Sequence, residues 1–90
     1  MRAKRYLVRG LVQGVGYRYF AGQAADRWGI RGYARNLPGG EVEIHAEGDA
    51  AALQSFKQEL EHGPALARVR EVLESDVPVS GSYASFSVRG

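Results

Sequence analysis

The chain has 90 residues, of which 44% are apolar and 24% are charged, and its net charge is +2. This length and composition favour one soluble domain over residues 1–90, with little room for a second module. The absence of cysteine excludes disulfides and cysteine metal sites, and no apolar run approaches the ~20 residues of a membrane span.

Hydrophobic periodicity and turn residues divide the chain into strands and helices. In chain order these are a strand over 4–10, a helix over 19–28, strands over 30–36 and 41–47, a helix between the N-cap Asp49 and the stop at Gly63-Pro64, a strand over 68–76 and a short strand over 83–88. The order β-α-β-β-α-β with a short extra C-terminal strand predicts an α+β fold, a ferredoxin-like α/β sandwich. Two helices are expected on one face of an antiparallel sheet.

Two periodic patterns predict which residues face the core. In the first helix Phe20, Ala24 and Trp28 recur every fourth position, with Ala21 and Ala25 beside them, and these residues form the predicted apolar stripe. The strand over 41–47 alternates, so we predict that its polar residues lie on a solvated outer face. These polar residues are Glu41, Glu43, His45 and Glu47.

The two histidines, His45 and His62, have no partner at metal-ligand spacing. We therefore expect His45 to be a surface residue, and we expect no metal site. Basic residues recur in the segment 2–9 and again at 18, 27, 31 and 35. This distribution suggests a basic patch that attracts a small anion.

The segment Gly14–Arg18 is the most informative stretch of the sequence. A strand, a loop with two glycines and the first turn of a helix together predict an anion cradle, because backbone N–H groups converge there. Arg18 adds a planar fork of donors suited to a phosphate or a carboxylate. Asn36 stands at a strand end beside a tight turn. Taken alone, each segment also fits an ordinary turn, with Arg18 on the surface and Asn36 as a turn former.

Taken together, the two segments resemble the signatures of the acylphosphatase family. The first signature is matched by Gly10–Arg18, which reads Gly-Leu-Val-Gln-Gly-Val-Gly-Tyr-Arg, and the second begins at Gly32–Asn36 and continues through Gly40 and Gly48. The similarity covers nearly the whole chain. Many relatives carry a larger side chain at the position of Gly16, a difference that removes no catalytic group.

The resemblance implies hydrolysis of acyl phosphates to a carboxylate and inorganic phosphate, with no metal or cofactor. Inorganic phosphate is then expected to be a competitive inhibitor. Carried over by position, Arg18 would bind the phosphoryl group and Asn36 would orient the attacking water. The backbone amides that would surround the phosphate oxygens belong to Gln13, Gly14, Val15, Gly16, Tyr17 and Arg18.

An RNA-binding module is the main alternative from another functional class. The segment Arg31–Ala34 matches the opening of an aromatic RNA-binding strand motif, but Arg35 stands where an aromatic residue is expected. The segment also falls on the second strand instead of the third, and the third strand carries glutamates. We therefore predict no nucleic-acid partner.

Two further alternatives keep the fold and change the function. Acylphosphatase-like domains also occur at the front of a larger hydrogenase-maturation protein that handles carbamoyl phosphate, and a phosphate sensor without turnover would use the same cradle. A chain of 90 residues with both Arg18 and Asn36 favours the stand-alone enzyme.

Because Arg9 interrupts the apolar residues behind the basic N-terminus, a signal peptide is disfavoured. We expect a cytoplasmic monomer without a membrane partner.

Overall fold

The computed structural model describes all 90 residues as a five-stranded sheet with two helices packed on it. The elements are β1 (Arg2–Leu11), α1 (Tyr17–Trp28), β2 (Arg31–Asn36), β3 (Val42–Gly48), α2 (Ala50–His62), β4 (Arg68–Val77) and β5 (Phe86–Arg89). The predicted element order and the ferredoxin-like class are confirmed. The first helix begins two residues earlier than predicted, at Tyr17, and the last strand is shorter.

The strands lie in the order β4-β1-β3-β2-β5. β1 is antiparallel to both β3 and β4, and β2 and β3 form the predicted hairpin. β5 is the exception, because it crosses to the opposite edge of the sheet and pairs parallel to β2, with Arg89 opposite Arg35. The end of β5 therefore lies beside the end of β2, where Asn36 is placed.

The core lies between the sheet and the two helices. Small residues of α1 let this helix approach the sheet closely, whereas larger residues of α2 fill the remaining space. The buried core residues are Tyr6, Val8, Val12, Tyr17, Ala21, Ala24, Ala25, Ile30, Ala34, Val42, Ile44, Ala46, Leu53, Phe56 and Leu60. No helix is both long enough and apolar enough to span a membrane.

The predicted apolar stripe of α1 was wrong at Trp28. This residue is 41% exposed, and its indole Nε1 donates a hydrogen bond to the Glu59 carboxylate on α2. The buried residues of the helix are Tyr17, Ala21, Ala24 and Ala25, so the predicted alanines are confirmed and the helix buries Tyr17 instead of Trp28. The indole N–H explains the difference, because a buried tryptophan must find an acceptor, which the acidic side chain at the helix surface supplies.

The predicted solvated face of β3 was also wrong. Glu43 is 6% exposed and Glu47 is 2% exposed, while His45 is half-buried. The alternation correctly separates the two faces, but β3 is the middle strand and long side chains from both neighbours fold over it. Nε of Arg5 donates to Glu43 at 2.9 Å, and Nε of Arg35 donates to it at 2.6 Å.

Buried carboxylates survive on this face because each one is fully partnered. Burial alone would raise the pKa of Glu43, but the hydrogen bonds from Arg5 and Arg35 outweigh burial and hold the pKa below its usual value. Asp49 occupies the N-cap position of α2 as predicted, although its side chain makes no capping hydrogen bond.

Candidate active site

The end of β1 is shaped by a close backbone approach at Gly10. The register with β4 shifts between Arg9 and Gly10, and Gly10 adopts a φ of 136°. A Cβ atom at this position would lie 2.1 Å from the Arg68 carbonyl oxygen, so only glycine fits. This bulge ends the strand and leads into the segment Val12–Gly16, which we call the amide loop.

The amide loop leaves a run of backbone donors without protein partners. Gly14 and Gly16 have φ values of 76° and 78°, in the left-handed region, and Gly16 is the N-cap of α1. The N–H groups of residues 13–16 donate to no backbone carbonyl, and the first turn of α1 adds the unpaired N–H groups that every helix start has. Such a concavity of amides at a helix N-terminus favours an anion.

Tyr17 anchors the helix start beneath these amides. Its side chain is buried, and its hydroxyl donates to the Leu60 carbonyl on α2 at 2.6 Å. Burial raises the pKa of Tyr17 well above its usual value, with a smaller contribution from the charge of Glu61. The ring therefore stays neutral and fixes the position of the next residue, Arg18.

The guanidinium of Arg18 is oriented by the C-terminal strand. Nη1 of Arg18 donates to the carbonyl oxygen of Arg89 on β5, and Arg18 takes part in none of the ion pairs of the molecule. The Arg89 guanidinium in turn lies 3.9 Å from the centroid of the Tyr33 ring. The remaining donors of the Arg18 fork stay available to a ligand.

Most of the predicted basic patch is neutralised by ion pairs. Several of the basic residues in question have a carboxylate partner, and these pairs are Lys4–Glu74, Arg5–Glu43, Arg9–Glu71, Arg27–Glu59 and Arg35–Glu43. Arg18 has no acidic partner and is the arginine that lines the cleft beside the amide loop. Among the predicted basic residues, Arg18 is therefore the one placed to attract an anion into the cleft.

Asn36 completes the cleft from the end of β2. It pairs in register with Val42, and its side-chain Oδ1 is buried without a hydrogen-bond partner in the protein. Buried polar atoms are almost always paired, so an unpaired amide oxygen here points to a polar molecule as its partner. The cleft of about 170 Å³ is lined by Val12, Gly14, Gly16, Tyr17, Arg18, Tyr19, Asn36 and Val88.

The structure brings some of the predicted site residues together and separates others. Arg18 and Asn36 share the cleft with the left-handed glycines. The side chain of Val15 packs against the core, and that of Gln13 points to the turn after Asn36. Sequence reasoning missed Val88 and the Arg89 carbonyl, because nothing in the local sequence indicates the parallel pairing of β5 with β2. It also missed Val12 and Tyr19, which line the cleft on either side of the predicted amides.

A larger cavity of about 400 Å³ lies elsewhere, between α2 and the strands β1 and β4. Both lysines that line it are already engaged, since Nζ of Lys4 and Nζ of Lys57 each lie 2.9 Å from the Glu74 carboxylate. No group of three or more histidine, aspartate and glutamate side chains is arranged to hold a metal ion. The smaller cleft, with its unpaired donors and acceptor, is therefore the candidate active site.

Comparison with known proteins identifies the family of this chain. The sequence matches the Acylphosphatase family model over residues 4–88. It is 44% identical over 88 residues to the acylphosphatase of Mannheimia succiniciproducens, covering 98% of each chain. The crystal structure of acylphosphatase from Bacillus subtilis has 36% identity, full coverage of both chains and a TM-score of 0.95. The structure of T. kodakarensis HypF matches at 32% identity and a TM-score of 0.87, over 12% of its length. This chain belongs to the acylphosphatase family, hydrolases that act on acyl phosphates.

Proposed function

We propose that this chain hydrolyses acyl phosphates in the 170 Å³ cleft, with Arg18 and the backbone amides of Gln13–Arg18 binding the phosphoryl group and Asn36 orienting the attacking water. The observation that carries the proposal is that Asn36, whose Oδ1 has no hydrogen-bond partner in the protein, lines the same cleft as Arg18. The unpartnered amide oxygen of Asn36 can accept a hydrogen bond from a water molecule. The unpaired N–H groups of the amide loop and the Arg18 guanidinium can donate to the oxygens of a phosphoryl group.

The charge on the phosphoryl group is balanced by fixed donors. Phosphoryl transfer depends mainly on alignment and on stabilising charge at the equatorial oxygens. The amide loop supplies N–H groups that are already oriented, and Arg18 supplies a fork held in place by the Arg89 carbonyl. The protein therefore does not have to reorganise as the charge shifts during the reaction.

The water attacks phosphorus opposite the leaving carboxylate. The new bond joins the water oxygen to phosphorus, and the bond from phosphorus to the carboxylate oxygen breaks with its electron pair. Because a carboxylate is stable as an anion, the leaving group needs no proton. An amide is too weak a base to take a proton from water, so a phosphate oxygen of the substrate receives it, and Asn36 contributes only alignment.

The first test removes the guanidinium of Arg18. Hydrolysis of benzoyl phosphate, followed by ultraviolet absorbance with a chelator present, should fall on the order of 10²–10³-fold in Arg18→Ala. Arg18→Lys should recover little, because a point charge cannot replace the fork. The matched control is Arg31→Ala, at the opposite end of β2, which removes one unpaired arginine and should keep wild-type turnover. Equal losses of turnover in both alanine variants would mean that Arg18 contributes only its overall positive charge, and its role in binding the phosphoryl group would be refuted.

The second test separates water positioning from phosphate binding. Asn36→Ala should lower kcat on the order of 10²-fold through lost alignment. Inorganic phosphate should inhibit the wild type competitively, and its Ki should change less than about threefold in Asn36→Ala but rise strongly in Arg18→Ala. A large rise in Ki with unchanged kcat in Asn36→Ala would contradict the water-positioning role.

A further inference from the structure

The side chain of Gln13 joins the amide loop to the turn that follows Asn36. Its Nε2 donates one hydrogen bond to the Leu37 carbonyl at 2.8 Å and another to the Glu41 carbonyl at 2.9 Å. These two carbonyls belong to the first and last residues of the turn Leu37–Glu41. A single side-chain amide thus engages both ends of the segment that connects Asn36 to β3.

The same two carbonyls close the turn internally. The Leu37 N–H donates to the Glu41 carbonyl at 2.8 Å, and the Gly40 N–H donates to the Leu37 carbonyl at 3.1 Å. Each carbonyl therefore accepts one bond from within the turn and one from Gln13. Because Gln13 contacts the turn at its closing points instead of at its tip, its bonds fix the base of the turn and hence the end of β2.

No other hydrogen bond of this region makes the same connection. The ladder between β1 and β3 extends only as far as Val8 and Val42, so it ends before the amide loop. Other side-chain hydrogen bonds from the neighbouring helix start lead elsewhere, from Tyr17 to α2 and from Arg18 to β5. The spacing between the amide loop and Asn36 thus depends on Gln13 beyond what core packing provides.

We propose that Gln13 is a positioning residue for acyl phosphate hydrolysis, whose side chain sets the distance between the phosphoryl group on the amide loop and the water at Asn36. The inference rests on the function proposed above for those two elements. Productive attack requires reacting atoms about 3–3.5 Å apart, and a displacement of about 1 Å can cost 10²-fold in rate. Loosening the turn should therefore lower turnover while leaving phosphate binding intact.

The single variants test the role of the amide donors. Gln13→Met keeps the length of the side chain without donors, and Gln13→Glu keeps its shape but turns an acceptor toward the two carbonyls. With benzoyl phosphate, both should lower kcat by about 10- to 100-fold, with the Ki of inorganic phosphate changed less than about threefold. The control is Gln54→Met on the exposed face of α2, which should behave as wild type. Wild-type kcat in both Gln13 variants would overturn the proposal.

A double-mutant cycle with Asn36→Ala gives the sharper result. If Gln13 acts through Asn36, adding Gln13→Met to Asn36→Ala should cost less than about threefold further in kcat. Equal losses in both backgrounds, together with a raised Ki, would mean that Gln13 only shapes the amide loop, and the proposal would fail. All rates are measured below the unfolding midpoint of each variant. Wild-type kcat in Asn36→Ala would refute the water site and with it this role of Gln13, whereas a lowered kcat in Asn36→Ala with wild-type kcat in both Gln13 variants would refute the role of Gln13 alone.

Discussion

The Tyr17 hydroxyl supplies a hydrogen bond that the second helix cannot make for itself. Pro64 stands four residues after Leu60 and has no N–H, so the Leu60 carbonyl lacks its usual helical donor. Tyr17 donates to this carbonyl from the first residue of α1. One side chain therefore satisfies the end of α2 and fixes the start of the helix that carries Arg18.

Tyr17→Phe should destabilise the protein by about 1–3 kcal/mol, because it leaves a buried carbonyl without a donor while keeping the ring. Urea unfolding measures the free energy of unfolding. The matched control is Tyr19→Phe, whose hydroxyl is exposed and bonded only by Gln23, and its effect should stay within about 0.5 kcal/mol. Equal stability of Tyr17→Phe and the wild type would show that the Leu60 carbonyl needs no protein donor.

At the residue scale, the sequence identifies what is local and misses what depends on distant segments. Arg18 stands next to the glycines and the helix start that define its role, so one short stretch predicts its place in the cleft. The contacts of Gln13 with Leu37 and Glu41 depend on how the hairpin packs against the amide loop. The Arg89 carbonyl is a backbone atom, so its contact with Arg18 does not depend on the residue type and could not be predicted from the sequence.

At the element scale, Glu47 on β3 holds the connection between β4 and β5, residues 78–85, against the sheet through hydrogen bonds. The N–H groups of Ser80 and Gly81 donate to its carboxylate at 2.8 and 3.0 Å, and Nε2 of His45 lies 2.7 Å from it. Tyr83 packs its ring 5.1 Å from that of His45. These contacts hold the connection over β3 and direct β5 to the far edge of the sheet.

The ionisation of Glu47 should make this fastening depend on pH. Burial alone would raise the pKa of Glu47, but the hydrogen bonds from His45, Ser80 and Gly81 outweigh it, and the pKa is lowered. A lowered folded-state pKa contributes stability that is fully present above the unfolded value of about 4.3. This contribution is lost as the pH falls through the lower folded-state pKa.

Glu47→Gln should therefore cost about 1–3 kcal/mol near pH 7, because the amide cannot match the acceptor pattern of the buried carboxylate. As the pH falls from about 4.3 through the lowered folded-state pKa of Glu47, the difference from the wild type should shrink, since both side chains are neutral below that pKa. Thermal unfolding at both pH values checks this. Glu71→Gln, in an exposed pair with Arg9 at 3.2 Å, is the control and should cost about 0–1 kcal/mol. A pH-independent difference for Glu47→Gln would contradict the assigned role.

The element order could be predicted because periodicity and turn residues act locally, whereas the environment of each face could not. Alternation in β3 separated the two faces correctly, yet it carried no information on what covers the outer one. The cover consists of Arg5, Arg35 and the connection after β4, which come from three other parts of the chain. For the same reason, the predicted stripe of α1 fails only at Trp28, whose indole reaches the Glu59 carboxylate on α2.

At the scale of the whole molecule, the sheet face opposite the helices is the surface on which an RNA-binding module of this fold would bind RNA. The glutamates expected to repel phosphates are in fact buried, so that reason against RNA no longer holds. A different one replaces it, because the Arg89 guanidinium covers the Tyr33 ring at 3.9 Å and leaves that ring face unavailable for base stacking. The absence of a nucleic-acid partner stays a prediction.

The placement of β1 between strands from distant parts of the chain has a consequence for folding. Val8 pairs with both Val42 and Val72, so the strand that leads into the amide loop gains its neighbours only after long loops have closed. Such a topology folds slowly and as one cooperative unit, with no separately stable active-site half. In a urea titration, benzoyl phosphate hydrolysis and the fluorescence of Trp28, at the opposite end of α1 from Arg18, should therefore be lost with the same midpoint. Separate midpoints would reveal a partly folded state in which the cleft opens before the helices part.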